Sequence, residues 1–161
     1  MDYEASLSAG QYFVLITQNV DGLHQRAGSR NVIELHGSIH KTHCANPACT
    51  LAAFEDANPH QQEIPRCPVC TNVLRPGIVL FGEPLPAEQS WRAKRALREC
   101  ELFIAIGTSG TVAPASNFVR SADYAGARTI YINLEPLDPP NPAFQEHYYG
   151  PAEHLLPELL A

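Results

Sequence analysis

Positive charge is scarce in this sequence. Lys and Arg total 11 against 17 Asp and Glu, the formal net charge is −6, and basic residues form no run. A surface that neutralises phosphates needs clustered cations, so nucleic-acid binding is excluded as the main activity. Long apolar runs are lacking as well. None approaches the roughly 18 to 20 residues that cross a bilayer, and the start carries no signal-peptide pattern. A cytoplasmic setting with no membrane partner is the expectation. With 161 residues there is room for one domain with a sizeable core and an appendage, not for two ordinary domains. Little pattern precedes the first apolar run, so the chain reads as beginning in the middle of a domain.

What is present is organised around the stretch from Thr17 to Gly37. The apolar run Tyr12 to Ile16 reads as a buried strand, and it stops at Thr17-Gln18-Asn19-Val20-Asp21. A second strand-like piece, Val32 to Leu35, stops at His36-Gly37. Ligands of parallel sheets bind outside the carboxyl ends of the strands, so Gln18, Asn19, Asp21 and His36 are candidates for one crevice. An imidazole at such a place can accept a proton near neutral pH. Asp21 is also placed to cap a short helix, Gly22 to Ala27, ended by Gly28.

Between His43 and Leu74 the composition changes, with Cys, Pro, His and Asn replacing Val, Ile and Leu. Four of the five cysteines lie here in two pairs. Four residues separate Cys44 from Cys49, two separate Cys67 from Cys70, and seventeen lie between the pairs. Two knuckles of two thiolates suit a tetrahedral zinc ion, and four thiolates leave no position for water, which makes the site structural. His43 as a replacement ligand and redox disulfides are the alternatives. Cys100 stands apart and reads as a buried helix residue.

Beyond this segment, Arg75 to Pro84 is a short extended piece bracketed by proline, suited to an edge strand. A helix is predicted over Ala87 to Cys100. Leu102 to Ile106 is a continuous apolar strand that ends at Gly107-Thr108-Ser109-Gly110, a helix is expected from about Pro114 to Tyr124, and Thr129 to Glu135 is the next strand. Strand, helix and strand in this order make a βαβ unit with parallel strands. A Pro-rich loop follows, and Ala152 to Leu160 reads as a closing helix. The expected core is Val14, Ile16, Ile33, Leu35, Ile104, Ile106, Ile130 and Ile132.

TQNVDGLHQRAGS, ELHGS, the paired cysteines, RPGIVLFGE, GTSGTVAPA and YINLE stand in the order and approximate spacing of the sirtuins. The chain resembles a bacterial-type member of these NAD-dependent protein lysine deacylases from about Gln11 to its end. The resemblance implies an α/β fold, a partial doubly wound (Rossmann-like) parallel sheet over residues 1–42 and 75–161, with a small four-cysteine zinc-binding module inserted at 43–74. It implies NAD and one structural zinc ion as cofactors, and acyl-lysine proteins or peptides as substrates. In the family the acyl oxygen attacks the nicotinamide ribose carbon, nicotinamide leaves, and a histidine, here His36, deprotonates a ribose hydroxyl. Lysine, nicotinamide and an O-acyl-ADP-ribose result.

By the same resemblance Gln18, Asn19 and Asp21 position ribose, water and nicotinamide, with Asn19 and Asp21 joining His36 in catalysis. Gly107, Thr108 and Ser109 meet ribose or phosphate, Asn133, Leu134 and Glu135 meet the adenosine ribose, and the backbone of Ala152 meets adenine. Val79, Leu80, Phe81, Gly82 and Glu83 pair strand to strand with the substrate peptide. Sirtuins open on a strand and a Gly-rich loop that holds the NAD pyrophosphate. No such loop occurs in these 161 residues, so weak or undetectable NAD binding is the expectation, with an inactive chain in this form as one outcome. ADP-ribosyl transfer or NAD hydrolysis shares the first chemical step and is the enzymatic alternative. A zinc-bearing interaction module without catalysis is the other.

Overall fold

The computed structural model describes residues 3–60 and 63–160. The chain forms two compact units, one of residues 13–90, the other of residues 3–12 and 91–160. A four-residue helix, α1 (Tyr3–Ser6), belongs to the second.

The first unit begins with β1 (Leu15–Thr17), a short helix α2 (Leu23–Arg26) and β2 (Val32–Glu34). β1 and β2 pair in parallel, Ile16 opposite Ile33. Next come β3 (Gly37–Cys44), β4 (Phe54–Glu55) and β5 (Leu74–Ile78), an antiparallel sheet in the order β4-β3-β5. β3 is the strand that hydropathy misses. Its buried side chains are Ser38, Thr42 and Cys44, small groups that satisfy a sheet interior without an apolar run.

At the start of β3 the backbones of two strands nearly touch. Gly37 sits at φ +75°, and a β carbon there would lie 2.0 Å from the carbonyl oxygen of Gly77 on β5. Only glycine adopts this conformation at so close an approach without strain. Gly37→Ala is therefore expected to destabilise the protein by about 1–3 kcal/mol for the backbone conformation alone, with the clash added. Urea unfolding would read this as a lower midpoint, and an unchanged midpoint would contradict it.

The helix α3 (Ala87–Glu99) runs across the division between the units. In the second unit it buries Ala93 and Leu97, one turn apart on one face. β6 (Leu102–Ile106), a 3-10 turn (Ala115–Asn117), α4 (Phe118–Tyr124), β7 (Arg128–Asn133), β8 (Glu146–Tyr149) and α5 (Ala152–Leu159) complete it. The sheet is parallel throughout, in the order β6-β7-β8. β6, α4 and β7 form the expected βαβ unit. β8 reads EHYY and lacks the apolar signal of its neighbours, because it is an edge strand.

β7 is the spine of this unit. Ile130 and Ile132 are 2% and 0% exposed, each burial contributing about 1.5–3 kcal/mol. Tyr131 on the opposite face packs with Val119, Leu137, Ala143 and Phe144. Of the eight expected core residues, Ile33, Leu35, Ile130 and Ile132 are buried, whereas Val14, Ile16 and Ile104 are only half-buried and Ile106 is 42% exposed. An apolar strand predicts a core only when both faces are covered. Here one parallel sheet has two strands, and β6 lies on the edge of the other.

Two forked ion pairs fasten the units internally. Arg75 grips Glu83 through both carboxylate oxygens, and Arg128 grips Glu146 in the same way. The guanidinium hydrogen bonds hold both carboxyl groups down from 4.5 to about 2. A depressed folded value means that each pair's contribution is complete above the unfolded pKa and is lost as pH falls through the folded one. The share of stability to urea that these pairs supply should thus be constant down to about pH 4.5 and decline toward pH 2, with Arg128→Gln flattening part of the decline. A wild-type midpoint that does not move over that interval would refute the assignment. The Glu83 and Glu146 side chains are 38% and 31% exposed, so solvent keeps the contribution of each pair small.

Candidate functional site

In the first unit, the loop after β1 is held by a ladder of long-range hydrogen bonds. The amide of Leu35 donates to the Thr17 carbonyl and that of Ile39 to the Val20 carbonyl, both at 3.0 Å. Between these rungs the His36 ring reaches across, with Nδ1 3.0 Å from the carbonyl oxygen of Gln18. A carbonyl only accepts, so Nδ1 carries the proton and the neutral ring keeps its lone pair on Nε2. His36 itself is half-buried.

Asp21 Oδ1 accepts from the Leu23 amide at 3.0 Å. This is the expected cap, shifted by one residue, since Gly22 holds the N-cap position of α2. The Asp21 carbonyl accepts from His40 Nε2, also at 3.0 Å. His40 was not expected to take part. Its signal lies in the alternation of β3, where it falls two residues from both Ser38 and Thr42. Thr17 Oγ1 accepts from the Asn19 amide at 3.0 Å, and Asn19 itself is exposed. Gln18, Asn19, Asp21 and His36 thus share the end of one small parallel sheet.

The candidate peptide segment lies in the same unit. The Val79 amide donates to the His36 carbonyl at 2.9 Å, so Val79, Leu80, Phe81, Gly82 and Glu83 continue from β5 directly beside the histidine. Leu80 and Phe81 are 53% and 99% exposed.

In the second unit, three parallel strands end together. The Gly107 amide bonds to the Ile132 carbonyl at 3.0 Å and the Gly150 amide to the Asn133 carbonyl at 2.9 Å. Tyr131 donates its hydroxyl to the Thr108 carbonyl at 2.9 Å, and Asn133 Nδ2 donates to the Tyr131 hydroxyl and to the same carbonyl. These bonds fix the ends of β6 and β7, and Tyr131 joins the site by a contact that an apolar-strand pattern conceals. A β carbon at Gly107 would meet nothing within 4 Å, so there is open space at the mouth. Thr108 and Ala152 are half-buried there, while Ser109, Leu134 and Glu135 are exposed. Backbone amides, hydroxyls and one amide side chain thus gather at the carboxyl ends of the strands, the place where parallel sheets bind ligands.

The four thiols of Cys44, Cys49, Cys67 and Cys70 come together, all sulfurs within 4.8 Å of one another. Cys44 Sγ lies 3.4 Å from Cys70 Sγ, and Cys49 Sγ lies 3.6 Å from Cys67 Sγ. A disulfide requires about 2.05 Å, so none of these pairs is bonded in this structure, where all five cysteines are free. Tetrahedral zinc with bonds of about 2.3 Å sets its sulfurs roughly 3.8 Å apart, so the donor set fits. His43 is outside the cluster.

Backbone amides of Asn46, Leu51 and Val69 point at the sulfurs two residues earlier, as thiolates require. Burial pushes the Cys44 thiol up to about 12, and the backbone at Asn72 with the neighbouring thiols brings Cys70 down to about 6. Without a cation, four adjacent sulfurs cannot all carry charge.

The profile of the Sir2 family matches residues 5–114. The chain belongs to the Sir2 family. Over 155 residues this Sir2 chain is 45% identical to an NAD-dependent protein deacylase of Pseudomonas aeruginosa, covering 91% of its own length and 60% of the relative. A solved Sir2 homologue in complex with NAD matches with a TM-score of 0.84 at 39% identity, covering 92% of this chain and 57% of that one. A Sir2 protein bound to a myristoylated histone peptide matches with a TM-score of 0.73 at 37% identity, covering 91% and 63%. The chain spans about half to two thirds of the length of the curated relatives it matches.

Proposed function

We propose that this Sir2 chain carries the base and the peptide-binding strand of an NAD-dependent protein lysine deacylase. The observation that carries the reading is the His36 tautomer: an imidazole whose Nδ1 proton is committed to the Gln18 carbonyl and whose Nε2 can take a proton. NAD, when bound, supplies the ribose carbon that receives the acyl oxygen and the nicotinamide that leaves. His36 then removes a proton from a ribose hydroxyl. Gln18, Asn19 and Asp21 position the reacting groups, with Asn19 and Asp21 beside His36 in the catalytic set.

Gly107, Thr108 and Ser109 hold ribose or phosphate, Asn133, Leu134 and Glu135 hold the second ribose, and the backbone of Ala152 faces adenine. Val79 to Glu83 pair with an extended acyl-lysine peptide; a solved relative is bound to a myristoylated histone peptide. Residues 43–74 act as the zinc-binding module, with Cys44, Cys49, Cys67 and Cys70 as ligands. The remaining residues of 1–42 and 75–161 form the catalytic core. Free thiols around a metal site support a cytoplasmic setting. No helix among the described residues is long and apolar enough to cross a membrane.

Because NAD binding is expected to be weak, the test is mass spectrometry of the zinc-loaded chain incubated with a large excess of NAD and an acyl-lysine peptide. Loss of the acyl mass from lysine, with nicotinamide and an O-acyl-ADP-ribose as co-products, is the expected result. Free ADP-ribose or ADP-ribosylated protein with the acyl-lysine intact would move the reading to hydrolysis or transfer. Unconsumed NAD would overturn it.

A further inference from the structure

We infer that Arg75 is a positioning residue for the peptide: its guanidinium clamps the Val79–Glu83 loop into the shape that offers a free backbone edge to an extended acyl-lysine chain. The inference rests on the deacylase reading. Arg75 binds both oxygens of Glu83 and also donates from Nη2 to the Ile78 carbonyl at 3.1 Å. Glu83 Oε2 in turn accepts the Leu80 amide at 2.9 Å, and the Glu83 amide returns to the Leu80 carbonyl at 3.0 Å. The Val79 amide is held by the His36 carbonyl at 2.9 Å. One guanidinium thus ties the end of β5 at Ile78 to Glu83, and Glu83 in turn holds the Leu80 amide, while the loop's first amide is held separately by the backbone of residue 36.

What the clamp leaves over is as informative as what it holds. Leu80 to Glu83 make a tight turn with Gly82 at φ +89°, in which the Val79, Leu80 and Glu83 amides and the Leu80 carbonyl are paired, whereas no hydrogen bond among the described residues reaches the backbone of Phe81 or Gly82. Those groups are left to meet an arriving peptide backbone. The side chains at the tip, Leu80 and Phe81, are turned out to solvent, ready to flank the arriving peptide. Pairing with Glu83 also cancels the charge of Arg75, so the edge recognises backbone and not the charge of residues around the target lysine. An arginine is suited to this place because its planar fork binds both oxygens of a carboxylate in parallel while still reaching a carbonyl, a geometry that the point charge of a lysine does not fix.

The test compares two ligands on the zinc-loaded full chain: a fluorescent acetyl-lysine peptide read by anisotropy, and a doubly blocked acetyl-lysine, which has no flanking strand, read by competition. Arg75→Gln should weaken the peptide by roughly 10- to 100-fold and leave the blocked residue within about threefold of wild type. Arg75→Lys should restore the peptide only in part. Hydrogen exchange at the Leu80 and Glu83 amides should quicken in step.

A general loss of structure would weaken both ligands together. Should Arg75→Gln fail to fold, the exchanged pair Arg75→Glu with Glu83→Arg supplies the comparison, and it should bind more tightly than Arg75→Glu alone. Unaltered peptide affinity in a folded Arg75→Gln protein overturns the clamp while the deacylase reading stands. Wild-type protein that binds neither ligand overturns the deacylase reading, and the clamp with it.

Discussion

His36→Ala lowers kcat for deacylation by about 10²- to 10⁴-fold, the range in which a positioned general base contributes, and leaves peptide affinity within about threefold. The asymmetry follows from the contacts. The imidazole reaches Gln18, whereas the loop beside it is held by the backbone carbonyl of residue 36, which alanine retains. His36→Gln tests the same point with a side chain that has hydrogen-bonding groups but no basic nitrogen, and it should be equally inactive. Steady-state kinetics with a single acetyl-lysine peptide decides the matter. Normal turnover by either variant would remove His36 from the chemistry and pass the role of base to another group, with His40 the nearest candidate by its bond to the Asp21 carbonyl.

The second large effect is loss of the metal. Treatment with a strong chelator, or Cys67→Ser, should unfold the segment around residues 43–74 and aggregate or expose the chain. Between Cys44 and Leu74 the only buried apolar side chain among the described residues is that of Cys67, so no core remains once the ion is gone. Structural zinc in small modules supplies apparent folding energy of about 10–16 kcal/mol, as large as an ordinary domain's whole stability of about 5–15 kcal/mol. Metal analysis should find one zinc per chain, and limited proteolysis after chelation should cut first within 45–73. A metal-free protein with an unchanged melting curve and unchanged proteolysis would sink the four-thiolate assignment.

Much of the fold was legible where one element was governed by a local pattern. β6 and β7 are continuous apolar runs and appear as strands within a residue or two of their expected bounds. α3 follows its helical period, and α5 ends at Leu159 where Leu160 was expected. β3 and β8 were not legible, the first because Ser38, Thr42 and Cys44 fill its interior, the second because an edge strand tolerates Glu146 and His147. The helix expected from Pro114 begins with a 3-10 turn and becomes regular only at Phe118. In the site, Gln18, Asn19, Asp21 and His36 were visible as polar groups at strand ends. His40, Arg75 and Tyr131 were not, since each acts through partners that the sequence does not mark.

Sequence by itself determined what depends on covalent spacing: two thiol pairs at knuckle distance, apolar runs that become strands, and motifs that place the chain among the sirtuins. Tertiary structure decided what depends on partners far apart along the chain. It committed the Nδ1 proton of His36 to a carbonyl eighteen residues away, joined Arg75 to Glu83, and left Ile106 at an open edge while burying Ile132. A hydrogen bond or a covered face between distant residues exists only once the chain has folded, and no pattern of neighbours encodes it.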